Sequence, residues 1–447
     1  MERVKALVRR RSSYEPLEGG SESPDGERIE HPKSQAFSWI DYSVFFLLGI
    51  AMLWAWNMFL AAGPYFQRRF QSSDRILRNF QSAELSVSTI GSLGSTILLT
   101  KLQAHASYPR RIMAALVINV VVFMVLAMST KLFPGVSAGV YFVFLILMVF
   151  CTSVATALCQ NGIFAYVSGF GREEYTQGIM VGQGVAGVLP CIAQIVSVLS
   201  VPKKTTSDDT PQESSTSALA YFLTATVIST ISFLAFALLL SRHGHGYHHK
   251  PLMDSMDGED DIGVIERASI PLMTLFKKLK WLAGAVFLTF GITMFFPVFT
   301  QQIESVRPVA SSPRLFQPSS FIPLAFLFWN VGDLVGRLAP AIPALSLTSR
   351  PRLLFIFSAC RIVFIPMYLL CNIRGRGATI VSDAFYLLVI QVLFGFSNGY
   401  LGSNCMMGFV EWVDVDEREA AGGFMSLCLV AGLSTGSLLS FLAAASA

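Results

Sequence analysis

Apolar runs without a single charge recur along this chain. Residues 42–67, 112–130, 132–171, 175–202, 214–241, 281–303, 384–410 and 420–447 contain no Asp, Glu, Lys or Arg. Each matches or exceeds the roughly 20 residues that an α-helix needs to cross a bilayer core. The run 132–171 is longer than one crossing and is expected to include flanking loop. Three weaker segments complete the pattern. Residues 85–100 are short but extend through polar ends, 315–332 continue into a segment holding Asp333 and Arg337, and 353–371 are interrupted only by Arg361. The pattern predicts an all-α polytopic membrane protein with eleven spans, six before a polar stretch at 242–280 and five after it. A six-plus-five layout around a basic central loop resembles a two-bundle transporter of the major-facilitator kind.

The predicted organisation is a polar tail over residues 1–38, a six-helix bundle over 39–241, a linker loop over 242–280 and a five-helix bundle over 281–447. Composition agrees: 53% of the 447 residues are hydrophobic and 14% are charged, against about 25% charged in soluble domains. The tail has no early apolar stretch of the kind a cleaved signal carries. With the tail on the cytosolic side, the inner loops hold 20 Lys and Arg and the outer loops 11, as the positive-inside rule requires. The exception is the first outer loop, with Arg68, Arg69, Arg75 and Arg78. The net charge of +4 gives no reason to expect nucleic-acid binding. All seven Cys fall in apolar runs without C-x-x-C spacing and read as buried packing thiols, and no glycosylation sequon occurs. The chain shows no nucleophile–base pairing, metal-ligand spacing, phosphate loop or cofactor motif, so no enzyme is expected. The central loop carries His243, His245, His248 and His249, which read as part of a polar linker. No His falls inside a span, which argues against an intramembrane metal pathway. Tyr14-Glu15-Pro16-Leu17 has the Tyr-x-x-hydrophobic form that a sorting adaptor reads.

Candidate chemistry concentrates inside the spans. Asn330, Asp333 and Arg337 are spaced i, i+3, i+7 and share one helix face, and Asp333 and Arg337 form an i, i+4 pair of opposite charge. A charge near the bilayer centre costs about 2.5–3.5 kcal/mol even on a lenient scale. Such residues face a bundle interior or a water-filled path. The residues alone leave two readings open, a structural ion pair and a polar site for a solute. Trp56 lies some way inside the first span, where an indole offers a stacking face and an N–H donor. Gln160 and Asn161 end the fourth span, and a carboxamide can both donate and accept toward a nucleobase edge or a sugar hydroxyl. Gln183, within Gly182-Gln183-Gly184, is either a ligand contact or an interhelical hydrogen bond. Arg361 to Pro366 and Ser397-Asn398-Gly399 mark bends or sites in the ninth and tenth spans. The acidic loop from Glu411 to Glu419 is a candidate inner gate.

Together, Trp56-Asn57, Gln160 near Gly162, Gly182-Gln183-Gly184, Asn330…Asp333…Gly336-Arg337, Arg361…Phe364…Pro366 and Ser397-Asn398-Gly399-Tyr400-Leu401 resemble the equilibrative nucleoside transporter family. The match runs from the first span to the eleventh and looks most like the fungal branch. It leaves out the tail and the central loop. The family's proline before Trp-Asn is replaced here by Ala55, which removes the usual cause of a helix kink. The resemblance implies an eleven-span, major-facilitator-like fold working by alternating access, facilitated or proton-linked. It implies that Trp56 and Gln160 contact the nucleobase, that Asp333 and Arg337 hold the ribose beside Asn330, and that Leu60, Pro297 and Phe326 form an outer gate. The implied partners are a nucleoside or nucleobase and the lipid bilayer, in a vacuolar or other intracellular membrane with a cytosolic N-terminus. A sugar or amino-acid carrier of the same class, or less readily a membrane receptor or scaffold, is the alternative.

Overall fold

The computed structural model describes residues 37–103, 106–133, 135–200, 215–243, 270–308 and 312–446. The sorting motif Tyr14–Leu17 and the loop residues His245, His248 and His249 lie outside the described residues. Helix α1 (Trp39–Ala61) starts where the Ser38 hydroxyl accepts from the Asp41 amide at 3.4 Å. It ends at Ala62, where Gly63-Pro64 opens the short α2 (Gly63–Arg69). There follow α3 (Asp74–Lys101), α4 (Tyr108–Leu132), α5 (Ala138–Ser168), α6 (Glu173–Ser200) and α7 (Ser215–His243). The second series is α8 (Leu272–Thr293), α9 (Phe295–Thr300), α10 (Pro318–Leu338), α11 (Pro351–Cys360), α12 (Phe364–Tyr368), α13 (Leu393–Gly408) and α14 (Arg418–Ser446).

Among the described residues, ten helical segments are long and apolar enough to cross a bilayer. The eleventh expected span is α3. Its 28 residues make a helix about 42 Å long at 1.5 Å per residue. Asp74, Arg75, Arg78, Glu84 and Lys101 lower its apolarity. It packs against α5 and α14 with Phe80, Gly91, Thr96 and Thr100 buried, while Asp74, Arg75, Arg78 and Lys101 stay exposed. The long run 132–171 resolves into one helix from Ala138, and α8 begins nine residues ahead of the apolar run expected at Trp281. The ninth span breaks at Arg361–Val363, a 3-10 turn between α11 and α12. The tenth begins as a π-helical stretch at Phe385–Val392, a form that often accompanies functional sites. Burial of the cysteines is less complete than expected. All are free thiols, but Cys360 is exposed because α11 turns that face outward.

Helices α1, α6 and α7 pack together, as do α3, α4 and α5, around a cluster of Phe59, Phe66, Phe70, Phe80, Phe123 and Phe222. In the second series, α8 packs on α11 and α14, and α10 on α13. Phe296, Phe321, Tyr368 and Phe394 fill the second core. Two seams join the series: α6 lies against α10 and α13, and α14 against α3 and α5. Lipid gives helices no hydrophobic reason to associate, so small residues and polar bonds decide their approach. The α10–α13 crossing shows this. A Cβ on Gly399 would run into the Asp333 carbonyl, and one on Gly395 into that of Trp329. Only glycine lets these two backbones come that close.

Candidate functional site

That crossing places polar side chains against one another in the α6–α10–α13 seam. Asp333 and Arg337 are 3% and 4% exposed, and Arg337 Nε donates to Asp333 Oδ2 at 2.6 Å. One turn of α10 separates them, so a single helix supplies the pair. Arg337 Nη1 reaches across to α6, donating to Gln183 Oε1 at 2.8 Å and to the Met180 carbonyl at 3.0 Å. The other carboxylate oxygen, Oδ1, accepts from Asn398 Nδ2 on α13 at 2.6 Å. Asn398 Oδ1 in turn accepts from the Thr293 hydroxyl on α8, also at 2.6 Å. An ionised carboxylate only accepts, so it fixes which end of the Asn398 amide faces it.

The chain of bonds continues to a second buried cation. Arg361, 2% exposed at the break in the ninth span, donates to Thr293 Oγ1 at 3.0 Å and to Ser397 Oγ at 2.9 Å, and also bonds the Thr289 carbonyl. Its guanidinium carbon sits 4.7 Å from the Phe394 ring centroid, in the range of a cation–π contact. Donors therefore point from Arg361 through Thr293 and Asn398 toward Asp333, and Arg337 approaches from the opposite side. One carboxylate is held between two guanidiniums, one bonded directly and one through two neutral relays.

The remaining predicted residues are distributed around this centre. Asn330 turns to α6. Its Nδ2 bonds Phe326 O at 2.9 Å and lies 3.5 Å from Cys191 Sγ, and its Oδ1 occupies the space that a side chain at Gly187 would need. Among the described residues, no hydrogen bond joins Asn330 to Asp333 or Arg337. Gln183 makes the interhelical bond left open by the sequence, and its Nε2 also touches Met52 Sδ on α1 at 3.7 Å. Trp56 is half-buried one helical turn beyond Met52, and Asn57 ties α1 to α6 through Ala186 O at 2.7 Å. Gln160 is 7% exposed on α5, with no hydrogen bond among the described residues, whereas its neighbour Asn161 accepts from Arg111 Nη1 at 2.6 Å. Of the proposed gate, Phe326 meets Phe296 edge-on with centroids 4.9 Å apart, and Phe296 stacks on Trp329 at 4.2 Å. Pro297 is half-buried beside Phe296, and Leu60 is 58% exposed near the end of α1. The sequence marked Asn398 only as part of a motif for a bend or a site, without a partner. For Thr293, in an otherwise apolar run, it carried no signal.

At the face bearing the N-terminus of α1, the two series are tied by polar bonds. The Ser168 hydroxyl bonds the Arg418 carbonyl at 2.9 Å. The Glu173 side chain faces that of Glu411. Lys278 bonds Asp414 at 2.7 Å and Glu417 at 2.6 Å, and this ammonium holds Asp414 below its ordinary carboxylate range. Asp41 is paired with His243 Nε2 at 3.0 Å, so His243 ends α7 against α1.

Comparison with known proteins fits these observations. The nucleoside transporter family model matches residues 145–254 and 258–445. The chain is 32% identical to the nucleoside transporter FUN26 of Saccharomyces cerevisiae, over 90% of this chain and 83% of that one. It is 29% identical to the rat equilibrative nucleoside transporter 1, over 89% and 95%. Among solved structures, human MFSD10, an organic anion transporter, covers 91% of this chain and 93% of its own with a TM-score of 0.55 at 12% identity. The major facilitator FucP, in the outward conformation, covers 91% and 95% with 0.52 at 13%. At those identities the likeness is one of fold, and the fold is the major-facilitator arrangement.

Proposed function

The chain belongs to the nucleoside transporter family, and from that premise we propose that it carries nucleosides across a membrane by alternating access, with the Asp333–Arg337 pair as the ribose-binding centre. The observation that carries this is the position of the pair, buried in a seam between the two helix series and bonded to both. A ribose diol can donate to the carboxylate and accept from the guanidinium, and charge-assisted bonds of this kind are the strong ones. Each carboxylate oxygen already accepts one bond and keeps a lone pair for another. Asn398 and Arg361 act behind the pair by fixing the carboxylate's orientation. Gln160, whose amide has no bond among the described residues, is assigned to the nucleobase edge, with Trp56 as its stacking face. Asn330 sets α10 against α6 beside the site. Leu60, Pro297 and Phe326 form the gate away from the face where Ser168 meets Arg418.

The two bundles, 39–241 and 281–447, would rock about the α6–α10 and α5–α14 seams. The N-terminus and the His-bearing loop are assigned to the cytosol from the distribution of Lys and Arg. The membrane is assigned to the vacuole or a similar compartment, with Tyr14–Leu17 as the adaptor-read address. Replacing Tyr14 and Leu17 by Ala in a tagged protein tests the address. A shift to the cell surface is expected, and a wild type already at the surface would overturn the compartment.

The deciding experiment for function is reconstitution into vesicles with radiolabelled uridine, adenosine and adenine, with and without a pH gradient. Saturable uridine uptake that unlabelled adenosine inhibits is expected. A panel in which sugars or amino acids are carried and nucleosides are not would overturn the reading. Dependence on the gradient separates proton-linked from facilitated transport.

A further inference from the structure

A concave space of about 620 Å³, open to the surface, lies beside Lys280 and Trp281 of α8 and shares no residue with the Asp333 network. Its walls come from three places: Lys280 and Trp281 on α8, the chain entering α11 at Arg350 to Leu353, and Trp412 before α14. Lys280, Arg350 and Arg352 are exposed and form no ion pair among the described residues. Lys278 on the same wall differs, because Asp414 and Glu417 neutralise it. The free cations gather around aromatic faces. Lys280 Nζ lies 5.7 Å and Arg352 Cζ 6.0 Å from the Trp281 centroid. Trp412, 42% exposed, donates its indole N–H to the Thr348 carbonyl at 3.4 Å, which leaves a ring face open.

Three features point to one ligand chemistry. Unpaired cations around a concave space select an anion. Arg350 caps the N-terminus of the ten-residue α11, with Pro351 at its first position, and the dipole there also favours negative charge. Tryptophans collect at the headgroup level of a bilayer; Trp281 opens the charge-free run of α8 and Trp412 closes the helical segment that begins at Phe385. We infer that the cavity binds the phosphate-bearing headgroup of an anionic membrane lipid, in the leaflet on the side of the 242–280 loop. Lys280, Arg350 and Arg352 supply the charge, and Trp281 and Trp412 hold the headgroup at the interface. A cavity of this size falls in the range that accommodates small-molecule ligands, so a phosphoinositol headgroup is a suitable probe.

The test uses the full chain in detergent and in vesicles. Native mass spectrometry measures retention of phosphatidylinositol phosphate against phosphatidylcholine for the wild type and for Lys280→Gln/Arg350→Gln/Arg352→Gln. The wild type is expected to prefer the anionic lipid. The variant should retain it roughly a hundredfold less, about fivefold for each cation near the surface. Uridine uptake in pure phosphatidylcholine vesicles should be equal for both proteins, which controls for folding. A second arm compares the rise in melting temperature given by the lipid with that given by inorganic phosphate in water. A rise equal to the lipid's would make the ligand a soluble anion and overturn the lipid assignment. A wild type with no preference for the anionic lipid would overturn it without reference to any variant.

Discussion

At the scale of single residues, the proposed site centres on one carboxylate, Asp333. Removing Asp333 leaves the Arg337 charge buried, and an uncompensated charge from a buried pair costs about 3–5 kcal/mol. Asp333→Ala and Arg337→Ala are each expected to reduce nucleoside uptake to near background, with folded protein measured alongside by size exclusion and melting temperature. Normal uptake by well-folded variants would remove the pair from the site. Arg361 extends the same logic one step outward. Arg361→Lys keeps the charge but cannot reproduce the fork that reaches Thr293, Ser397 and the Thr289 carbonyl together. Weaker uptake is expected, with more of the loss in maximal rate than in apparent affinity, if Arg361 acts as proposed by positioning Asp333 behind the ribose. Gln160→Ala should weaken every substrate that carries a base. Trp56→Ala should hurt all of them, and Trp56→Phe should restore part. Wild-type affinity in Trp56→Ala would mean that this indole only packs.

At the scale of elements, the site depends on how close α10 comes to α13. The glycines at 395 and 399 face backbone carbonyls across the crossing, and a flexible side chain that could move aside is absent there. Overpacking a core by even a methyl costs about 1–3 kcal/mol, and opposing backbone has less freedom to yield. Gly399→Ala is therefore expected to lower the melting temperature by several degrees and to abolish uptake, since it pushes Asn398 away from Asp333. Gly94→Ala on α3 is the control. A Cβ there meets nothing within 4 Å, and alanine is the better helix former by about 1 kcal/mol. Equal loss of stability in both variants would show that the close crossing is not what holds the pair in place.

At the scale of the whole molecule, the bonds at the N-terminal face of α1 hold that side shut. Ser168 meets Arg418, and Glu173 meets Glu411, across the two helix series. Alternating access requires these contacts to break once per cycle. A Glu173→Cys/Glu411→Cys pair in a Cys360→Ser background is expected to be linked by a short bifunctional methanethiosulfonate reagent, which spans more than a direct disulfide can, and to stop uptake, and reduction should restore it. Full transport by a protein shown to be cross-linked would mean that this face does not open during the cycle.

The sequence by itself determined the number of spans to within one, eleven expected against ten long apolar helical segments among the described residues, because apolar length against bilayer thickness is a one-dimensional property. It also placed Asp333 with Arg337, since an i, i+4 spacing on one helix needs no tertiary information. The family likeness was legible for the same reason: motifs in order along the chain survive without coordinates. Only the tertiary structure decided what those residues bond. Gln183 could have been a ligand or a clamp, and the approach of α6 to α10 made it the partner of Arg337. Asn330 shares a helix with the ion pair, yet it bonds its own helix and faces Cys191 on α6. Asn398 joined the site because Gly395 and Gly399 let two backbones nearly touch. Charge pairing between distant segments depends on distances of a few ångströms, and helical periodicity carries no information about them. The lipid-facing cavity shows the same limit. Lys280, Arg350 and Trp412 are far apart in the chain, and the fold alone makes them one surface.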